Sequence, residues 1–166
     1  MTHEQLWAPW RLDYIATAKE AKPEGCFLCH YRDNANDVEN LVVARTEHCL
    51  VVLNRFPYNN GHLLVAPLSH SGTLGDLNDA ALFDTMKTVQ HMTRLLGSVL
   101  SPHGFNVGLN LGAAAGAGLP DHLHWHIVPR WNGDTNFMPI LGSAKVIPQS
   151  LRALYDLLNQ EMNGNS

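Results

Sequence analysis

The sequence predicts an α+β fold: a mainly antiparallel sheet of five strands, with one long helix packed across it and a second helix at the C-terminal end. Three observations carry that prediction. Five short β-rich runs are bounded by turn residues. One long segment repeats apolar residues at spacings of three and four. A second, shorter segment of the same kind follows Pro148.

Taken in order, Leu6 to Ile15 is apolar and aromatic but broken by Pro9, an irregular or short helical arm laid across the domain. Trp7 and Trp10 are its anchors, or contacts to a second subunit. An exposed connector, AKEAKPEG, follows. The first two strands are read at Leu41 to Ala44 and Cys49 to Leu53, separated by the turn-like Arg45 to His48. The loop RFPYNNG leads to a third strand, His62 to Ala66, ended by Pro67. Asp76 or Asn78 is suited to cap the long helix. Leu82, Met86, Val89, Thr93, Leu96 and Val99 form its predicted stripe, and Pro102 and Gly104 stop it. Strands at Phe105 to Leu111 and His122 to Pro129 flank the loop GAAAGAGLPD. Pro148 suits the first turn of the closing helix, whose buried side is read as Leu151, Leu154, Tyr155, Leu158 and Met162. The organisation is an arm over residues 1–25, a domain over 26–137, and a tail with a helix over 138–166 completing that domain.

A chain of 166 residues suits one domain, and 45% apolar residues are enough for a real core. Eleven Lys and Arg against 15 Asp and Glu give a net charge of -4, which argues against a broad nucleic-acid surface but leaves a small anionic ligand open. No apolar stretch reads as a signal peptide or a membrane span. Three cysteines, Cys26, Cys29 and Cys49, make no disulfide framework, so the expected compartment is the reducing cytoplasm.

The stretch DHLHWHIVPR raises the chemical question. Side chains alternate along a strand, so His122, His124 and His126 share one face while Leu123, Trp125 and Ile127 take the core side. A merely solvated strand face would more often carry Lys, Thr or Glu. Imidazoles in a row serve either as metal ligands or as bases and nucleophiles near neutral pH. A hydrolytic metal centre usually adds a carboxylate or keeps an open coordination place. Here Asp121 adjoins the row, but the preceding loop holds Gly112, Gly116 and Gly118. Glycines let main-chain N–H groups approach an anion, and phosphate is the usual guest. Phosphate beside a neutral imidazole suggests phosphoryl or nucleotidyl transfer.

At these residues the sequence resembles the histidine triad (HIT) family. HLHWHIV fits its His-x-His-x-His motif, and NRFPYNNGHLLVAPLSH, GFNVGLNLG and VPRWNGDTNF resemble family segments in the same order. The likeness runs from about Cys26 to Phe137 and is nearest to bacterial members around the diadenosine tetraphosphate phosphorylases and hydrolases. It implies a HIT-like fold and an enzyme that cleaves dinucleoside polyphosphates through a nucleotidyl-histidine intermediate. By resemblance, His124 is the nucleophile, His126 binds the phosphate or leaving oxygen, and His62 is the fourth family histidine beside them. Asn54 takes the ribose position, Asn110 a position near phosphate, and His122 belongs to the triad. Phe56 is a candidate for the base pocket. Neutral amides and imidazoles bind a phosphodiester without a divalent cation, so no catalytic metal is expected. Many relatives carry Ser, Thr or Gln just before the triad, whereas Gly116, Ala117 and Gly118 offer only backbone donors. That departure leaves substrate preference and acceptor open, and keeps a nucleoside phosphoramidase, or a nucleotide-binding module without turnover, as alternatives. The family also implies a homodimer with a continuous sheet.

Alone, the Cys26-Cys29 pair is compatible with redox chemistry, metal binding or idle thiols. No thioredoxin-like pattern surrounds it. The resemblance supplies two further ligands, His70 and His122, for a structural zinc site, with His30 a competing donor. Cys49, in an apolar strand, is read as a core residue, and so is Trp125. His3, His48, His91 and His103 are read as surface residues, and Asp134 and Asn136 as turn formers. Arg130 and Lys145 are either ordinary surface charge or guides for polyphosphate, and Trp131 is a possible stacking surface.

Overall fold

A computed structural model describes residues 25–135 and 146–164. The arm with His3, Trp7 and Trp10, and the positions Asn136, Phe137 and Lys145, lie outside the described residues. Five strands, β1 (Val42–Arg45), β2 (Cys49–Leu53), β3 (Leu63–Pro67), β4 (Gly104–Leu109) and β5 (Trp125–Arg130), form one sheet in the order β1-β2-β3-β5-β4. Every neighbouring pair is antiparallel, as predicted. Two short helices, α1 (Phe27–Asp33) and α2 (Asp37–Asn40), precede the sheet. The long helix α3 is Asp79–Leu100 and the closing helix α4 is Leu151–Gly164.

Alternation divides the sheet into two apolar faces. Val43, Val51, Leu53, Leu63, Val65, Trp125 and Ile127 bury against Val89, Met92, Leu95 and Leu96 of α3 and Leu154, Tyr155 and Leu158 of α4. Fully burying one such aliphatic side chain stabilises the fold by about 1.5–3 kcal/mol. On the opposite face, Leu28 and Tyr31 of α1 cover Val42, Leu50, Val52 and Ala66. His126 stands on this second face, because its cross-strand partner on β3 is Leu64, which in turn pairs with Val52. The long helix and the histidine row therefore occupy opposite sides of the sheet.

The α3 stripe differs from the expected one. Ala81, Thr85, Thr88, Val89, Met92, Leu95 and Leu96 are buried, while Leu82 and Met86 are 39% and 41% exposed. Threonine can replace leucine inside because its hydroxyl is satisfied locally: Thr85 Oγ1 donates to the Ala81 carbonyl at 2.7 Å and lies 3.0 Å from Cys49 Sγ. Cys49 is fully buried, as read. Asn78, not Asp76, caps the helix by accepting the Ala81 N–H at 2.8 Å, and Ser101 ends it at a left-handed φ of 46°. Pro148 falls before the closing helix, which starts at Leu151 with Ser150 Oγ accepting the Ala153 N–H. The fifth strand begins at Trp125, so His122 and His124 lie just before it rather than within it.

Candidate active site

The site histidines are withdrawn from solvent: His122, His124 and His62 are 1%, 8% and 0% exposed, and His126 is half-buried. Buried imidazoles need partners, and those partners fix their tautomers. His124 Nδ1 lies 2.9 Å from the His122 carbonyl oxygen. A carbonyl only accepts, so Nδ1 carries the proton and Nε2 keeps its lone pair. His124 is thereby set up as a nucleophile or base at Nε2.

A relay fixes the neighbouring rings in the same way. The Tyr58 backbone N–H donates to His62 Nδ1 at 3.0 Å, and Asn54 Nδ2 approaches the same atom at 3.2 Å. His62 must therefore carry its proton on Nε2, which donates to His126 Nδ1 at 2.9 Å. His126 in turn holds its proton on Nε2, a buried donor without a hydrogen-bond partner among the described residues. Burial, with the neighbouring His124 ring as a lesser cause, pushes the His126 pKa down to about 4, so the ring is neutral at pH 7. An unpaired buried donor costs free energy that a bound oxygen would recover. The His124 and His126 rings meet edge-on with centroids 5.0 Å apart. Lone pair and donor stand side by side, an arrangement that can attack a phosphorus while holding an oxygen on it.

His122 plays another part. Its Nε2 donates to the Pro67 carbonyl at 2.8 Å, leaving the Nδ1 lone pair directed at Cys26 Sγ (3.1 Å) and Cys29 Sγ (3.6 Å). His70 Nδ1 lies 3.3 Å from Cys29 Sγ. The donor atoms of Cys26, Cys29, His70 and His122 all lie within 4.8 Å of one another. Two thiols and two imidazoles so gathered fit a four-coordinate closed site for zinc. His30, on the exposed side of α1, is not in the group. Cys26 caps α1 and His122 precedes β5, so a metal there would clamp α1 to the carbonyl that holds His124. With both its ring nitrogens engaged, His122 acts on His124 through its backbone.

The remaining candidates surround this core. Asn54 Oδ1 accepts the Phe56 N–H at 2.9 Å, which shapes the loop, and Phe56 is 65% exposed. Gly112 and Gly116 turn the loop before the triad at φ 77° and 88°, and a Cβ on Gly116 would lie 4.0 Å from Asn110 Nδ2. Asn110 and Gly116 are thus adjacent, and Gly118 lies farther along the same loop, exposed. Trp125 packs in the core beneath α3. Arg130 is held by Asp134 at 2.6 Å and Asn106 at 2.7 Å, and Asp134 also takes Asn59 Nδ2 at 2.8 Å. Arg130 and Asp134 therefore fasten the loop that carries Tyr58 to the end of β5. His103 accepts the Asn132 N–H, and His48 and His91 lie away from the row, as expected.

Sequence reasoning missed Tyr58, whose ring stacks 4.7 Å from His62 and 5.7 Å from His126. Its only signal was its place four residues before His62. The Pro67 carbonyl, a backbone group, had none.

The chain is similar to known proteins over most of its length. A model of the HIT domain matches residues 35–133. The AP-4-A phosphorylase of Mycobacterium tuberculosis is 45% identical over 165 residues, covering 95% of this chain and 84% of that protein. Adenosine 5'-monophosphoramidase of Schizosaccharomyces pombe is 28% identical over 137 residues, covering 82% of this chain and 98% of that one. Among solved structures, a Zn-bound histidine triad family protein from Mycobacterium smegmatis superposes with a TM-score of 0.68 at 25% identity, covering 85% of this chain and 95% of that chain.

Proposed function

The chain belongs to the HIT domain family, and from that premise we propose that it is a nucleotidyl-transferring enzyme acting on the phosphoanhydride bonds of dinucleoside polyphosphates. The observation that carries this reading is the fixed pair of tautomers, a lone pair on His124 Nε2 beside an unpartnered N–H on His126.

In the first step His124 Nε2 attacks the α-phosphorus of diadenosine tetraphosphate, an N–P bond forms, and the P–O bond to the leaving chain breaks. The bridging oxygen departs with the electron pair, leaving as ATP, and His126 Nε2–H holds a phosphate or leaving oxygen as charge develops. In the second step an acceptor oxygen attacks phosphorus, the N–P bond breaks, and neutral His124 is restored. Orthophosphate as acceptor gives ADP, and water gives AMP. The relative named a phosphorylase favours orthophosphate. The relative named a phosphoramidase supports a second reading, in which the same attack expels an amine.

Asn54 and Phe56 receive the nucleoside and Asn110 with the Gly116–Gly118 backbone the phosphates, around His62, His124 and His126. Cys26, Cys29, His70 and His122 hold a zinc ion, which supplies a structural clamp and no bond-making step. The chain works as a homodimer, with the β4 edge, where Val107 is 47% exposed, as the surface for pairing. Three free thiols suit the cytoplasm, and no described helix is long and apolar enough to cross a membrane.

The test is incubation of the protein with diadenosine tetraphosphate, with and without orthophosphate, and identification of products by mass. ATP with phosphate-dependent ADP is expected. Absence of any cleavage, with an intact adenosine phosphoramidate also left uncut, would overturn the reading.

A further inference from the structure

Gly108 lies within β4, one residue before its end, where glycine is a poor choice: it weakens a strand and packs nothing. Some glycines in this fold are demanded by it. Gly61 has φ 79° and a Cβ there would fall 2.6 Å from Leu100, while a Cβ on Gly72 would fall 2.6 Å from the Pro120 carbonyl. Gly108 has neither constraint, because its φ is not positive and an added Cβ would meet nothing within 4 Å. The same is true of Gly104, but the two differ in what stands opposite. Gly104 pairs across the sheet with Arg130, and Gly108 pairs with His126.

Cross-strand partners project to the same face with Cβ atoms about 4.5–5.5 Å apart. A side chain on Gly108 would therefore rise beside the His126 ring, on the face away from α3 and in line with Asn106 on its own strand. The space it would fill adjoins the one ring whose buried N–H has no described partner. We infer that Gly108 is a specificity-determining residue, its missing side chain leaving the room in which the phosphate chain of the substrate lies against His126.

This inference rests on the nucleotidyl-transfer reading and has a signature that a structural glycine would not give. Gly108→Ala and Gly108→Val add β propensity, and the added Cβ meets nothing within 4 Å. Gly108→Ala should therefore leave thermal stability unchanged or raise it, and the fold of Gly108→Val is checked by its own melting curve. Turnover of diadenosine tetraphosphate should nevertheless fall with side-chain size, kcat/KM dropping a few-fold for Ala and at least about tenfold for Val. Gly104→Val, at the far end of the strand where an added Cβ likewise meets nothing within 4 Å, should keep wild-type kcat/KM. Binding of diadenosine tetraphosphate is measured separately in a His124→Ala background, with and without Gly108→Val. Weakened binding there supports the Gly108 inference even if the wild-type chain proves unable to cleave, which would sink only the catalytic reading. A folded Gly108→Val protein with wild-type kcat/KM, or with undiminished binding where cleavage is absent, would overturn it.

Discussion

His62→Leu tests whether the relay, and not merely the presence of His126, prepares the site. His62 is fully buried, and the polar groups that meet its ring include the Tyr58 N–H at 3.0 Å, Asn54 Nδ2 at 3.2 Å and His126 Nδ1 at 2.9 Å. Leucine fills much of the volume but accepts and donates nothing. Removing the acceptor of the part-buried Tyr58 N–H costs about 0.5–1.5 kcal/mol, which for a domain of this size lowers Tm by roughly 2–4 °C per kcal/mol. The catalytic effect is separate. Without a donor on Nδ1, His126 is free to move its proton from Nε2 and to tilt, losing an orientation worth about 0.5–1.5 kcal/mol, or roughly 2–13-fold in kcat. His126→Ala removes the donor altogether and should cost on the order of 10²–10³-fold. The predicted order is therefore wild type, then His62→Leu, then His126→Ala, with KM moving less than kcat. Steady-state kinetics read the order, and ¹⁵N chemical shifts of the His126 ring read the tautomer directly. His62→Gln, which restores an acceptor and a donor, should recover part of the loss. A folded His62→Leu protein with wild-type kcat and an unchanged His126 tautomer would refute the relay.

The metal clamp predicts about one zinc per chain by elemental analysis, lost in Cys26→Ser and retained in His124→Ala. Chelation should lower Tm and slow turnover together, because the His122 carbonyl that holds His124 is loosened. Stability should also depend on pH. The folded-state pKa of His126, near 4, lies below the ordinary 6.5, so the unfolded chain takes up its proton first as pH falls. The contribution of His126 is complete above about pH 6.5 and is lost between there and pH 4, by at most about 3 kcal/mol. The His62 and His124 rings pack against His126, and urea denaturation against pH should show a shallower slope for His126→Leu than for the wild type. An unaltered slope would assign the acid loss to other groups.

Much of this was legible in the sequence for a physical reason. Five antiparallel strands announce themselves through alternation and turn residues, and the row His122, His124, His126 is visible because strand geometry places alternate residues together. The Cys26-Cys29 pair was legible as two donors, while the approach of His70 and His122 depends on α1 folding over the second sheet face. What failed were positions where a residue's type misstates its partner. Thr85 and Thr88 are buried because a hydroxyl can be satisfied inside a helix, so counting apolar residues rotated the α3 stripe onto Leu82 and Met86. Asp134 closes a turn, as read, and Arg130, read as surface charge or a guide for polyphosphate, is exposed. That the two also bind Asn59 and Asn106 and fasten the Tyr58 loop had no signal in the sequence. Tautomers are beyond any sequence pattern, since they are set by carbonyls and N–H groups such as those of His122, Pro67 and Tyr58. Gly108 acquires meaning only from the register that sets it opposite His126.

The most direct measurement is the capture of the covalent species. The protein is mixed with diadenosine tetraphosphate, quenched in base, where a phosphorus–nitrogen bond on histidine survives, digested, and mapped by mass spectrometry. One nucleotidyl group on the peptide carrying His124, absent from His124→Ala, is the predicted result. A label on His62 or His126 instead, or undiminished turnover by His124→Ala, would contradict the account.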